Sequence, residues 1–143
     1  MLTTQNNTVT NRTQLRVRYA ETDKMKVVYN GNYLTYFEVG RTELLRSCGL
    51  PYPELEEAGY LLPVLEAHVQ FKLSAIYDDL LTIEATYRLE RIPTIRIDYR
   101  VLRGEDEIAI GYTTHPFVQA DTMKPVRPPK VFFEAIEQAL KNT

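Results

Sequence analysis

The sequence contains a single cysteine, Cys48, so no disulfide can form within one chain. That favours a reducing compartment, and a cytoplasmic location is expected. Long hydrophobic runs are missing as well. No stretch approaches the ~18 apolar residues that a membrane span needs, so membrane insertion is not expected. The opening residues, MLTTQNNTVTNRTQ, have no apolar segment of the kind a secretory leader carries. A basic excess is absent too: 17 Lys and Arg stand against 19 Asp and Glu, a net charge of −2. This argues against a nucleic-acid partner. The 2 histidines, His68 and His115, lack metal-ligand spacing with each other or with Cys48. Both are expected to be structural, and Cys48 to belong to the core. Neither a G-x-S-x-G, a P-loop nor a G-x-G-x-x-G is present.

What remains is an ordinary globular composition. The 143 residues, 44% hydrophobic and 25% charged, suit one domain with a core of its own. Residues 1–13 are polar and are expected to be a disordered tail, leaving 14–143 as a single folded domain. Gln14–Ala20 alternates apolar and polar, as a half-buried strand does. Between Asn32 and Cys48, Tyr33, Leu34, Phe37, Leu44, Leu45 and Cys48 recur at three- and four-residue spacing. The pattern predicts an amphipathic helix. Asn30 and Asn32 are its N-cap candidates, and Gly49 and Pro51 its stop. A further short helix is expected over Tyr52–Ala58. Strands follow over 61–73, 80–91, 95–102 and 107–119, with a hairpin turn at Gly104-Glu105-Asp106. A terminal helix is predicted over Val131–Leu140, after Pro128-Pro129. One long helix and a run of strands make an α+β domain, a curved antiparallel sheet wrapped around one long central helix.

One stretch does not fit that plan simply. ETDKMKVVYNGNY, residues 21–33, places a carboxylate, Asp23, after the first strand and returns to a helix start seven residues later. A helix N-terminus offers free N–H groups and a partial positive charge, which suit a developing oxyanion. Read alone, Asp23 serves equally as a turn or cap residue, Asn30 and Asn32 as caps, and Lys26 as a solvated charge. Tyr29 and Tyr33, with Tyr36 and Phe37, are candidates for a pocket lining or for core.

Arg16, Tyr19, Glu21, Thr22, Asp23, Val28, Tyr29 and Tyr33, then Phe37, Glu38, Arg41, Glu43 and Leu45, stand in register with a known signature. The chain resembles the hotdog-fold acyl-CoA thioesterases, in the branch of 4-hydroxybenzoyl-CoA thioesterase and the Tol–Pal-associated thioesterases. Later blocks at 62–67, 77–80 and 124–129 extend the resemblance over about residues 14–130. Two positions depart from it. The family usually has Gly where this chain has Lys26, and often His, sometimes Tyr, where it has Asn30.

The resemblance implies a cofactor-free, metal-free acyl-CoA thioesterase that is a homodimer or homotetramer. It makes Asp23 the nucleophile or general base and the Asn30 N–H the principal oxyanion donor. Gly31 and Asn32 are neighbouring donors, and Gly31 lets substrate approach the backbone. Lys26 is placed to meet Asp23, an acidic acyl group or a CoA phosphate. Tyr29 and Tyr33 would complete the substrate site. Glu38 and Arg41 are read as structural. The competing readings are hydrolysis of acyl-carrier-protein thioesters and a non-catalytic acyl-CoA or lipid-binding hotdog domain.

Overall fold

Alternation along the strands decides which face is buried. In β6 (Thr94–Arg103), Ile95, Ile97, Tyr99 and Val101 point inward, while Arg96, Asp98 and Arg100 stay exposed. In β5 (Leu80–Arg88), Leu81, Ile83, Ala85 and Tyr87 do the same. The helix α1 (Asn32–Ser47) covers that face with Tyr33, Tyr36, Phe37, Gly40, Leu44 and Leu45, all on one stripe. Phe37 lies flat on the Tyr99 ring, with centroids 4.2 Å apart. Burying a side chain of this size contributes about 1.5–3 kcal/mol. At Gly40 the helix lies tight against the sheet, for a Cβ there would sit 2.7 Å from Ile83 Cγ2.

The computed structural model describes residues 1–50 and 52–142. The remaining elements are β1 (Leu2–Gln5), β2 (Thr8–Arg16), α2 (Tyr52–Glu57), β3 (Tyr60–Leu61), β4 (Glu66–Phe71), β7 (Asp106–Gln119), β8 (Pro125–Val126) and α3 (Lys130–Lys141). The strands form one 8-stranded antiparallel sheet in the order β1-β2-β5-β6-β7-β3, with β4 and β8 also paired to β7. With α1 packed on its inner face, this is the hotdog arrangement expected. No helix among the described residues is long and apolar enough to cross a membrane.

Three expectations need correction. Residues 1–13 are not a loose tail: they form β1 and most of β2, paired with β5. Asn6 and Asn7 both take positive φ, 47° and 64°, the requirement of a two-residue hairpin turn. The polar composition hid an alternation in which Val9 and Asn11 face inward and are buried. The strand expected over Gln14–Ala20 ends at Arg16, because its partner β5 begins at Leu80. A 3₁₀ turn, Tyr19–Glu21, follows. Neither Asn30 nor Asn32 caps α1. Gly31 occupies the N-cap with no side-chain hydrogen bond. At the other end Gly49 takes φ +81° as a helix stop; Pro51 lies outside the described residues.

Candidate active site

The stretch from Glu21 to Tyr29 is a miniature hairpin. Thr22 bridges Val28, the Asp23 N–H donates to Val27 O at 2.9 Å, and the Lys26 N–H donates to Asp23 O at 2.9 Å. Lys26 sits at the third position of the loop with φ +67°. A left-handed residue there is what a three-residue hairpin loop calls for, and it favours glycine. The family's glycine therefore has a backbone cause, and this chain meets the requirement with a strained lysine. Asp23 folds one carboxylate oxygen, Oδ1, back onto the Met25 N–H at 2.8 Å. Among the described residues its other oxygen has no partner.

Two supports hold this hairpin. On one side the Val28 N–H donates to Ala75 O at 2.8 Å, and Val27 bridges Ile76. That second loop is pinned by Asp79, whose Oδ2 accepts the Ile76 N–H and Arg103 Nη1, each at 2.9 Å. Burial would raise the Asp79 carboxyl, but those two donors outweigh it and hold it below the usual range. On the other side stands Glu21. Its backbone carbonyl accepts the Tyr29 N–H at 2.9 Å and Asn32 Nδ2 at 2.8 Å. Its carboxylate accepts the Arg18 N–H at 2.9 Å, the Tyr36 hydroxyl at 3.0 Å and Arg18 Nε at 3.2 Å. Burial alone would raise this carboxyl; the donors pull it below its ordinary value. Tyr36 is raised in turn, by its own burial and by donating to Glu21.

At the start of α1 the Asn32 N–H returns to Tyr29 O at 2.9 Å and the Tyr33 N–H to Asn30 O at 3.2 Å. The Asn30 and Gly31 N–H groups donate to no partner among the described residues. Gly31 has an ordinary right-handed conformation. Its missing side chain makes room for the Tyr29 ring, which a Cβ would meet at 2.7 Å. Beside this helix end lies a cleft of about 360 Å³ lined by Val27, Asn30, Tyr33, Phe71, Leu73 and Ser74, with Val28 and Lys72. Tyr33 and Phe71 meet there edge to face, 5.3 Å apart. Of the site residues expected from the sequence, Asn30 and Tyr33 line the cleft. Asp23 and Lys26 stand on the hairpin loop outside it, and Tyr29 is exposed. Asn32 turns its amide inward to Glu21.

Cys48 and His115 lie in the core, away from this cleft. Cys48 is buried, and burial pushes its thiol up to about 11. His115 is fully buried, and sequence reasoning did not foresee its partners. Its Nδ1 meets Leu62 O at 3.2 Å and Pro63 O at 3.1 Å, and its Nε2 meets Thr113 Oγ1 at 2.7 Å. Carbonyls only accept, so Nδ1 carries the proton and Nε2 accepts from Thr113. Thr113 then accepts from the Tyr99 hydroxyl at 2.6 Å, and Tyr99 from Arg41 Nη1 at 3.2 Å. The structural reading of Arg41 thus gains a definite partner. Only the inward parity of Thr113, His115 and Phe117 along β7 could have announced this chain of bonds.

A model of the thioesterase-like superfamily matches residues 17–136. The acyl-CoA thioesterase YbgC of Haemophilus influenzae is 32% identical over 117 residues, which are 81% of this chain and 86% of that protein. A DHNA-CoA thioesterase from Staphylococcus aureus, known as a crystal structure, is 31% identical and superposes with a TM-score of 0.84, covering 93% of each chain. The 4-hydroxybenzoyl-CoA thioesterase of Pseudomonas sp. strain CBS-3 shares the fold at 22% identity, with a TM-score of 0.77 over 88% of this chain and 98% of that one. With a family match spanning most of its length and relatives above 30% identity, the chain belongs to the thioesterase-like superfamily, the hotdog-fold thioesterases.

Proposed function

We propose that the chain is an acyl-CoA thioesterase, releasing a free acid and CoA, with Asp23 as nucleophile or general base and the Asn30 N–H as oxyanion donor. The observation that carries this reading is the pair of N–H groups at Asn30 and Gly31, without acceptors among the described residues, at the head of α1, where Asn30 lines the cleft. Backbone donors fixed at a helix N-terminus stabilise a tetrahedral oxyanion without reorganising, and losing one such donor typically costs about 10²–10³ in rate. In the general-base form, Asp23 takes a proton from water as the water oxygen adds to the thioester carbon. The carbonyl oxygen becomes the oxyanion held by Asn30, with Gly31 beside it. Collapse breaks the C–S bond, and the departing thiolate takes the proton. In the nucleophilic form, Asp23 expels the thiolate itself, and water then cleaves the acyl anhydride.

Lys26 has no carboxylate within ion-pair distance among the described residues. Its proposed role is therefore toward substrate, an acidic acyl group or a CoA phosphate, rather than toward Asp23. Tyr33 contributes its ring to the cleft wall, and Tyr29, exposed against Gly31, is proposed to meet the substrate from outside it. A carrier-protein thioester is the second reading. It is favoured by Lys24 and Lys26, two cations without ion pairs among the described residues, which follow Asp23 on an exposed turn.

The active unit is proposed to be a homodimer or homotetramer. The outer edge of β4 is unpaired among the described residues, and Val64, Leu65, Phe71 and Leu73 are exposed beside it. A second copy there would cover apolar surface and close the cleft. A cytoplasmic location is supported by the unpaired Cys48. Free-thiol release from a panel of acyl-CoAs tests the reading. Turnover is expected for at least one acyl class, and its absence for all of them would contradict the proposal.

A further inference from the structure

We infer that Glu21 and Asn32 form a positioning pair that fixes the head of α1 against the Asp23 hairpin, and that Asn32 acts through Glu21 rather than on the substrate. The inference rests on the reaction proposed above. Its basis is the number of pieces that one residue joins. The Glu21 carbonyl holds the returning end of the hairpin through the Tyr29 N–H at 2.9 Å, and the first residue of α1 through Asn32 Nδ2 at 2.8 Å. The Glu21 carboxylate reaches the next turn of the same helix face through the Tyr36 hydroxyl at 3.0 Å. Glu21 lies two residues before Asp23, and Tyr29 one residue before Asn30. A rotation of the Glu21 peptide therefore moves the carboxylate and the oxyanion donor relative to each other.

The choice of residues favours this role over simple packing. Asparagine is a poor helix former, tolerated near a helix start when its side chain caps the helix. Asn32 caps nothing and spends its amide on a loop carbonyl. The Glu21 side chain is only 14% exposed, and burying a carboxylate is costly unless donors meet it. Three donors do so, two from Arg18 and one from Tyr36. A misplacement of about 1 Å between reacting groups can cost on the order of 10² in rate while leaving binding intact.

The test uses the full chain, with steady-state kinetics on an acyl-CoA that the wild type hydrolyses and amide hydrogen exchange on the same proteins. Asn32→Ala is expected to lower kcat by about 10- to 100-fold with KM held within about two-fold. The Tyr29 N–H should exchange faster while Ile83 and Ile97, in the core strands, keep wild-type protection. Tyr36→Phe, which removes one hydroxyl and no core volume, should give a smaller change in the same direction. Glu21→Gln, which keeps an acceptor for Arg18 and Tyr36, should retain more rate than Glu21→Ala. Unchanged Tyr29 exchange in Asn32→Ala overturns the inference. So does an unchanged kcat with a raised KM, which would make Asn32 a substrate contact. If the wild type hydrolyses no acyl-CoA, the reaction reading fails by itself. The exchange arm then still decides whether the pair holds the loop: faster exchange supports it, and unchanged exchange overturns it.

Discussion

At the scale of single residues, Lys26 separates backbone strain from function most cleanly. Its φ of +67° costs about 1–2 kcal/mol for a residue with a side chain. Glycine would remove that cost and return about 0.5–1 kcal/mol through the greater freedom of the unfolded chain. Lys26→Gly should therefore raise stability slightly, by about 0.5 kcal/mol on these terms, as read from urea melts. If Lys26 meets substrate, the same variant raises KM for the preferred acyl-CoA. Higher stability with unchanged KM would remove Lys26 from the substrate site. The resemblance had marked this position as a departure from the family, and the hairpin geometry now says why glycine is usual there. The inward turn of the Asn32 amide was not legible, because it depends on a carbonyl eleven residues away in the sequence.

Among the elements, two glycines set how closely the layers approach. At Gly40 an added methyl meets the Ile83 side chain at 2.7 Å. Alanine gains about 1 kcal/mol in helix propensity there and loses about 1–3 kcal/mol to overpacking. Gly40→Ala should be destabilising by roughly 1 kcal/mol. At Gly111 a methyl would lie 2.1 Å from the His68 carbonyl oxygen and 2.8 Å from the Phe37 ring. Backbone cannot yield as a side chain can, so Gly111→Ala should cost about 3 kcal/mol or more and loosen β4 from β7. Equal melting temperatures for the two variants would contradict this account of the layers. The elements themselves were largely legible from α1 onward, where apolar spacing switches from three and four residues to two. The hairpin of β1 and β2 was not, because threonines and asparagines fill its strands and the buried Asn11 carries no apolar signature.

At the scale of the whole molecule, His115 contributes acid sensitivity in the window between pH 6.5 and about 4. Burial, reinforced by the Arg41 charge, pushes the imidazole down to about 4 from 6.5. In the unfolded chain it takes a proton near its ordinary value. Its contribution is therefore complete above about pH 6.5 and is lost as pH falls toward 4, roughly 3 kcal/mol in all. His115→Gln should flatten stability across that window in chemical melts taken from pH 7 to 4; an unchanged slope would contradict the assignment. Assembly belongs to this scale too. Light scattering is expected to give a mass of at least two copies, and a monomer would contradict the β4 edge as an interface. In the sequence, assembly was an expectation from the family resemblance alone. The sequence could not show which apolar side chains lie bare, because Val64, Leu65 and Phe71 become exposed only once β4 is seen to be an edge.

The central claim is that Asp23 and the head of α1 hydrolyse a thioester together. The most direct measurement is thiol release from acyl-CoA by wild type beside Asp23→Asn and Asp23→Ala, with CoA-ester binding followed in all three. The account predicts turnover by the wild type, a loss of at least about 10²-fold in kcat in both variants, and binding that persists. Full turnover in either Asp23 variant, or a wild type that binds acyl-CoA without hydrolysing it, would contradict it.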